Sequence, residues 1–188
     1  MTPRFTEDIV LFFDMDGTLI DTNLANFLSY KKAIHVVTKI THDLKYNSDK
    51  RLTRNSLRNV VSNLKDAEYE KIIQEKEKYY QDFLHEIKLN KSIANILFKY
   101  SKTNKTVLVT NCRRDRALTT LNHFGLADKF TEIFCREIAD SGKTINKYQN
   151  AISKLGISPN LVIAFENEEA EITDAKHAGI KIINPQFI

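Results

Sequence analysis

The feature that most restricts the possible folds of this 188-residue chain is an apolar run that ends in two acidic residues. Residues 9–13 are all apolar, and Asp14-Met15-Asp16-Gly17-Thr18 follows directly. Such a run is typical of a strand that is buried in a parallel sheet. Open parallel sheets bind ligands beyond the carboxyl ends of their strands, so the pattern predicts two carboxylates at a binding edge. An acidic turn without function is the alternative, since Asp and Gly favour turns. Carboxylates this close repel each other. A divalent cation bound between them would offset this repulsion. Alternatively, one carboxylate acts as a nucleophile and the other transfers protons.

The rest of the chain divides into a helical segment and an alternating segment. Between residues 23 and 89, apolar residues recur at helical spacing without glycine or proline, which predicts three or four helices. After Asn90, predicted helices alternate with strands, and this alternation predicts a parallel sheet with helices on both faces. The predicted strands cover residues 106–110, 133–135, 161–165 and 181–183. The predicted fold class is therefore α/β: a Rossmann-like core of residues 1–22 and 90–188 with an inserted α-helical unit of residues 23–89.

The composition limits the cellular locations and the binding partners that we expect for the protein. No apolar stretch approaches the roughly 20 residues that cross a bilayer, so we expect no membrane segment. The N-terminal residues lack the apolar segment of a signal peptide, and Cys112 and Cys135 are too few for a disulfide framework, so we expect a cytoplasmic protein. The net charge of +4 is mild. It favours an anionic partner without requiring nucleic acid.

The segment that begins at Asp14 resembles motif I of the haloacid dehalogenase (HAD) superfamily of phosphohydrolases, hhhhDxDGT, in which h is apolar. The match is complete, and Leu19-Ile20-Asp21 resembles the usual continuation of the motif. The resemblance implies that Asp14 is the nucleophile that accepts the phosphoryl group and that Asp16 is the general acid and base. It also implies a magnesium ion held by the Asp14 carboxylate and the Asp16 main-chain carbonyl. The inserted unit resembles the helical C1 cap of the β-phosphoglucomutase-like branch, which in relatives closes over the core site and sets substrate choice.

Thr110 and Asn111 follow the apolar residues 107–109 and resemble motif II, a strand that ends in Thr or Ser. A hydroxyl and free main-chain N–H groups at such a turn can hold a phosphate oxygen. Arg113 and Arg114 come next, and guanidinium groups suit phosphate because they donate parallel hydrogen bonds. Solvated surface charge is the alternative for either arginine.

Motif III of the family supplies one lysine that neutralises charge near the nucleophile, and the candidates here are Lys143 and Lys147. The spacing to Leu155-Gly156 that is usual in the β-phosphoglucomutase-like branch favours Lys143. The shorter spacing of some polynucleotide 3′-phosphatases favours Lys147, and Asn146 would be a good N-cap that puts Lys147 in the first helical turn. We prefer Lys147, while Lys143 stays open.

The segment from Phe165 to Ile180 resembles motif IV, whose pattern is FEDSxxGIxAAxxAGI, with one departure. Asn167 stands where the metal-binding Asp is expected. An amide oxygen supplies the geometry that magnesium needs without the charge. Glu166 or Glu171 would then compensate, directly or through water, or else the magnesium affinity or the activity is reduced. The expected metal ligands are thus Asp14, Asp16, Asn167 and Glu166.

The predicted function is a magnesium-dependent phosphatase that hydrolyses a small phosphate monoester through an aspartyl-phosphate, with a small phosphorylated metabolite as its partner. A phosphomutase is a related alternative. A polynucleotide 3′-phosphatase is another, supported by the basic residues between positions 31 and 65. A HAD-fold binding or regulatory protein with weakened catalysis is the alternative that Asn167 supports.

Overall fold

The structure, a computed structural model, describes residues 5–139, 142 and 144–185. The strands are β1 (Val10–Phe13), β2 (Ile20–Asp21), β3 (Lys88–Leu89), β4 (Lys105–Val109), β5 (Glu132–Phe134), β6 (Val162–Phe165) and β7 (Ile182–Ile183). The helices are α1 (Asn23–Thr38), α2 (Leu57–Val60), α3 (Asp66–Tyr79), α4 (Lys91–Tyr100), α5 (Arg114–His123), α6 (Lys147–Leu155) and α7 (Glu169–His177). Three short 3₁₀ segments cover Tyr80–Glu86, Ala127–Lys129 and Pro159–Leu161.

The main sheet has five parallel strands in the order β5-β4-β1-β6-β7. β1 lies in the middle, where Phe13 is in register with Leu108 of β4 and Phe165 of β6. All four residues of β1 are buried, which explains why the strand is apolar without alternation. The chain leaves β1 for β4 on one side and later crosses to β6 on the other, so the strand order reverses at β1. The prediction of an α/β fold with a parallel sheet is confirmed, and its ligand crevice is expected at the carboxyl end of β1.

Apolar side chains of the central strands and of the helices α6 and α7 form one packed cluster beside the sheet. Burying this surface stabilises the layer arrangement at about 25 cal/mol per Å² of apolar area. Its members include Phe12, Val107, Val109, Tyr148, Ala151, Ala164 and Ala175.

The chain divides into two compact units. The first spans Met1–Ile20 and Leu89–Ile188 and contains the five-stranded sheet with α4 to α7. The second spans Asp21–Lys88 and contains α1, α2 and α3. β2 and β3 form a separate two-stranded sheet, in the two stretches where the chain passes from one unit to the other.

The helical unit has its own apolar cluster, and it holds less helix than its apolar pattern suggests. α1 ends at Thr38 because Lys39 adopts the left-handed conformation with φ 60°, so Ile40 lies beyond the helix and is 57% exposed. α2 is a single turn. In the part of the chain that is described, no helix has the length and the apolar character needed to cross a membrane. The buried members of the cluster include Phe27, Tyr30, Ile34, Leu52, Leu57, Ile72 and Ile73.

Candidate active site

Three neighbouring strands end at one edge of the sheet, and each is followed by a buried polar residue. Asp14 follows β1, Thr110 follows β4 and Glu166 follows β6. The Asp14 main-chain N–H donates to the Phe165 carbonyl at 3.0 Å, so the pairing of β1 with β6 continues into this edge. Asp14, Thr110 and Glu166 are 5%, 1% and 2% exposed. The fold therefore collects residues that are far apart in the sequence at the crevice expected for a ligand.

Helix α6 delivers a lysine to the same edge. Asn146 caps the helix, because its side-chain oxygen accepts hydrogen bonds from the main-chain N–H groups of Tyr148 at 2.9 Å and Gln149 at 3.1 Å. The prediction that Asn146 is an N-cap is confirmed, and Lys147 is the first residue of the helix. Lys143, the other candidate for this position, lies outside the described residues.

Lys147 is 5% exposed, and its ammonium group lies among three carboxylates. Nζ is 2.7 Å from Oδ1 of Asp14 and 2.8 Å from Oε2 of Glu166, and it also forms an ion pair with Glu171. Carboxylate oxygens of Asp14, Glu166 and Glu171 lie within 4.8 Å of one another. When all four side chains are ionised, this cluster carries an excess of two negative charges.

The electrostatics of the cluster disfavour that fully ionised state in the absence of a further cation. The pKa of the Asp14 carboxyl is raised to about 8, chiefly by burial and further by Glu166 and Glu171, against the opposing effect of the Lys147 ammonium. Burial works against the charge on Lys147, but Asp14 and the other acidic neighbours hold the pKa of Lys147 well above its usual value. A divalent cation of charge two would balance the cluster, so these donors suit a hard cation such as Mg²⁺.

Glu166 is fully engaged by hydrogen-bond donors. Its Oε1 accepts from the main-chain N–H groups of Asn167 at 2.8 Å and Glu168 at 3.0 Å. Its Oε2 accepts from Lys147 Nζ at 2.8 Å and from the Tyr148 hydroxyl at 2.7 Å. Two bonds to each oxygen use the lone pairs that an ion would need. Glu166, expected as a metal ligand, is therefore suited to holding Lys147 and the turn after β6.

Asn167 contacts the turn after β1. Its Oδ1 accepts from the Thr18 hydroxyl at 2.8 Å, and a Cβ added to Gly17 would lie 2.7 Å from its Nδ2. Gly17 has φ 89°, so this turn needs glycine for its backbone as well as for the space above it. Glu171, and not Asn167, brings a side-chain charge to the Lys147 cluster, and Asn111 Nδ2 donates to Glu171 Oε1 at 2.8 Å.

The residues after β4 are divided between the buried edge and the surface. The Thr110 hydroxyl accepts from the Cys112 main-chain N–H at 3.1 Å, and a hydroxyl held in this way presents its proton to a ligand oxygen. Arg113 is the exposed N-cap residue of α5. Arg114 is also exposed, and its Nη1 donates to the Ile133 carbonyl at 3.2 Å. Among the described residues, neither arginine forms a hydrogen bond or an ion pair with the Asp14 cluster.

The sequence did not identify Arg116 as a site residue. Its Nη2 lies 2.6 Å from Oδ2 of Asp16, and its Nε donates to Cys112 Sγ at 2.9 Å. Cys112 lies before the first residue of α5, and Arg116 is in the first turn of that helix. No spacing in the sequence marks Arg116, because its contact with Asp16 depends on the rotation of α5 about its axis.

Comparisons with known proteins agree on one family. The family described as Haloacid dehalogenase-like hydrolase matches residues 11–184. A phosphorylated carbohydrates phosphatase from Thermotoga maritima is 26% identical over an alignment of 181 residues, and the match covers 92% of this chain and 82% of that protein. A β-phosphoglucomutase from Clostridium difficile has a TM-score of 0.66 at 22% identity and covers 91% of this chain and 81% of its own. A mutant of CbbY from Rhodobacter sphaeroides in complex with xylulose-1,5-bisphosphate has a TM-score of 0.74 at 17% identity, covering 95% and 86%.

Proposed function

The chain belongs to the haloacid dehalogenase-like hydrolase family, and from this premise we propose that it is a magnesium-dependent phosphatase that hydrolyses phosphate monoesters of small phosphorylated carbohydrates. The resemblance recognised in the sequence is confirmed by the family match over residues 11–184, and the chain is accordingly a hydrolase of the phosphatase type. The observation that carries the proposal is the buried Asp14 carboxylate at the tip of β1, paired with Lys147.

The proposed chemistry passes through a phosphorylated aspartate. An Asp14 oxygen forms a bond to phosphorus while the bond from phosphorus to the leaving oxygen breaks, and Asp16 gives its proton to that oxygen. Water then attacks the same phosphorus, its proton passes to Asp16, and the Asp14 carboxylate is released. Lys147 offsets negative charge at Asp14, and the Thr110 hydroxyl donates to an oxygen of the transferring group.

The donor set fits the magnesium ion that the family implies. Asp14 and Glu171 are the carboxylates best suited to hold it, because Glu166 is occupied by four donors. The Asp16 main-chain carbonyl and the Asn167 amide oxygen are the neutral donors expected from the motifs. When bound, the ion would supply positive charge that offsets the negative charge of the phosphoryl oxygens.

The proposed substrate class rests on the names of similar proteins and on the positive charge exposed at the start of α5. The Thermotoga maritima protein is named a phosphatase of phosphorylated carbohydrates, and the CbbY mutant was solved with a sugar bisphosphate. The helical unit is proposed to be the cap that determines which ester is accepted, as the C1 resemblance implies. Arg113 and Arg114, exposed at the start of α5, are retained as candidates for binding a second anionic group of the substrate. Cys112 and Cys135 are both free, which supports a cytoplasmic location for such an enzyme.

The test is a screen of sugar phosphates for release of inorganic phosphate with Mg²⁺, comparing the wild type with Asp14→Asn. The amide keeps the shape of the side chain but cannot attack phosphorus, so turnover should fall by more than about a thousandfold while thermal unfolding shows an intact fold. Asp128→Asn, which changes a surface carboxylate paired with Lys129, is the matched control and should keep full activity. Retained activity in Asp14→Asn would contradict the mechanism.

The same screen separates the alternatives. Interconversion of sugar phosphates without release of phosphate would identify a phosphomutase. Hydrolysis of 3′-phosphorylated DNA ends with a steep salt dependence would identify a polynucleotide phosphatase. Absence of turnover with Mg²⁺, Mn²⁺ and Co²⁺ would favour a binding protein on the same scaffold.

A further inference from the structure

Arg116 contacts Asp16, although the chemistry proposed above assigns it no step. Its guanidinium donates to Asp16 Oδ2 at 2.6 Å across a sequence separation of 100 residues. The two side chains are only 13% and 16% exposed, so water screens the pair little. A charge-assisted hydrogen bond of this length is among the stronger contacts in a protein. It therefore restricts the rotamers that the short Asp16 side chain can adopt.

Arg116 is itself held against the end of β4. Its Nε donates to Cys112 Sγ at 2.9 Å, and its main-chain carbonyl accepts from the Thr120 hydroxyl at 2.8 Å. Cys112 is 4% exposed, and its main-chain N–H donates to the Thr110 hydroxyl. A continuous set of contacts thus runs from Thr110, through Cys112 and Arg116, to Asp16.

We propose that Arg116 is a positioning residue that orients the Asp16 carboxyl for proton transfer in both halves of the reaction. This inference rests on the proposed function. Asp16 must reach the leaving oxygen first and the attacking water second, and both lie beside the phosphorus bound to Asp14. A planar guanidinium fixes the plane of a carboxyl, whereas the point charge of a lysine does not. Displacement of a catalytic group by about 1 Å lowers a rate by about a hundredfold.

The inference predicts an effect that depends on the leaving group. A sugar phosphate loses an alkoxide and needs the proton of Asp16, whereas 4-nitrophenyl phosphate loses a phenolate that leaves without a proton. In Arg116→Lys, turnover of the sugar phosphate hydrolysed fastest by the wild type should fall about 10- to 100-fold. Formation of the aspartyl-phosphate from 4-nitrophenyl phosphate should be unchanged.

Hydrolysis of the aspartyl-phosphate is common to both substrates and also uses Asp16. Rapid mixing of Arg116→Lys with 4-nitrophenyl phosphate should therefore give a burst of 4-nitrophenolate, with a higher ratio of burst rate to steady-state rate than in the wild type. If Arg116 had only a structural role, its replacement would lower the rates with both substrates by the same factor and leave the ratio of burst rate to steady-state rate unchanged. Lys154→Ala, which breaks a surface ion pair with Glu137 in the same unit, is the control for loss of a charge pair.

A double-mutant cycle tests whether Arg116 acts through Asp16. Replacing Arg116 should have no further effect on turnover in the Asp16→Asn background, because the group that it orients can no longer move a proton. Equal losses in both backgrounds would overturn the inference, while a wild type that is inactive or indifferent to Asp14→Asn would instead contradict the proposed function. If Arg116→Lys does not fold, Arg116→Gln replaces it in the same cycle. A crystal structure of Arg116→Gln should show a rotated Asp16 carboxyl, and an unchanged orientation would overturn the inference whatever the turnover.

Discussion

Magnesium binding should displace a proton from Asp14. The pKa of this carboxyl is raised to about 8, chiefly by burial and further by Glu166 and Glu171, so without a metal ion the group keeps its proton through neutral pH. A carboxylate binds Mg²⁺ and a carboxylic acid does not, so binding below pH 8 must release the proton. The affinity for Mg²⁺ is therefore expected to depend on pH in a range where an ordinary aspartate would show no dependence.

The size of the effect follows from the distance between the pH and this pKa. At pH 6 about 1% of Asp14 is ionised, so the apparent affinity should rise about tenfold per pH unit from 6 and level off above 8. From pH 6 to pH 9 the gain is about a hundredfold, or about 2.7 kcal/mol. In the metal-free protein the folded state holds the extra proton between pH 3.8, the ordinary pKa of an aspartate, and about pH 8, the raised pKa of Asp14. Its free energy of unfolding should consequently fall with rising pH in that range, by at most about 1.4 kcal/mol per unit.

Isothermal titration calorimetry with Mg²⁺ at pH 6, 7, 8 and 9 measures the affinity for the ion and the number of protons released on binding. Repeating each titration in two buffers of different ionisation enthalpy gives the number of protons released, which should be close to one at pH 6, about one half at pH 8 and near zero at pH 9. Asp14→Asn has no proton to lose at this position, so its weaker binding should be almost independent of pH. A constant affinity of the wild type from pH 6 to pH 9, without proton release, would refute the reasoning.

Three further perturbations test other parts of the site. Lys147→Met leaves buried carboxylates without their ammonium partner. It should lower the free energy of unfolding, measured in urea at pH 8, by about 3–5 kcal/mol. The control Lys154→Ala, at an exposed ion pair, should change this free energy by less than about 1 kcal/mol. Glu171→Gln should weaken Mg²⁺ binding at least about tenfold by calorimetry, and an unchanged affinity would remove Glu171 from the metal site. Gly17→Ala should destabilise the fold by about 1–3 kcal/mol in thermal unfolding, because φ is 89° and the added Cβ would lie 2.7 Å from Asn167 Nδ2; full stability would contradict this account of the turn.

The parts of the fold that depend on local sequence could be predicted. β1 is found at Val10–Phe13 because its apolar run is bounded sharply by Asp14, and β4 is found at Lys105–Val109, one residue before the predicted start. Both strands belong to a parallel sheet and are buried, and a short continuous apolar run bounded by polar residues is the signal expected of such strands. The position of Thr110 and of Glu166 at strand ends followed from the same runs.

The contacts made by side chains on helices could not be predicted in this way. Whether Arg116 or its neighbour Arg114 points to Asp16 depends on the rotation of α5 about its axis, which is set by packing and not by the sequence near Asp16. The helical spacing between residues 23 and 89 likewise did not indicate that α1 ends at Thr38, where the next residue, Lys39, adopts the left-handed conformation. For Arg116, the deciding interaction joins residues 100 positions apart, and that spacing carries no information about their distance in the fold.

The charge balance of the buried cluster does not depend on a carboxylate at position 167. Asp14, Glu171 and the fully bonded Glu166 supply three carboxylates, and one Lys147 ammonium with one Mg²⁺ would balance them. Asn167 itself is exposed, so water would screen a carboxylate at position 167, which would not be buried with the cluster. The amide oxygen accepts the hydrogen bond from Thr18 that holds the turn after β1. Glu171 lies in the first turn of α7, and its carboxylate reaches the Lys147 ammonium of the cluster. Asn167 is therefore compatible with a metal-dependent hydrolase when Glu171 is present, and it is not by itself a mark of lost catalysis.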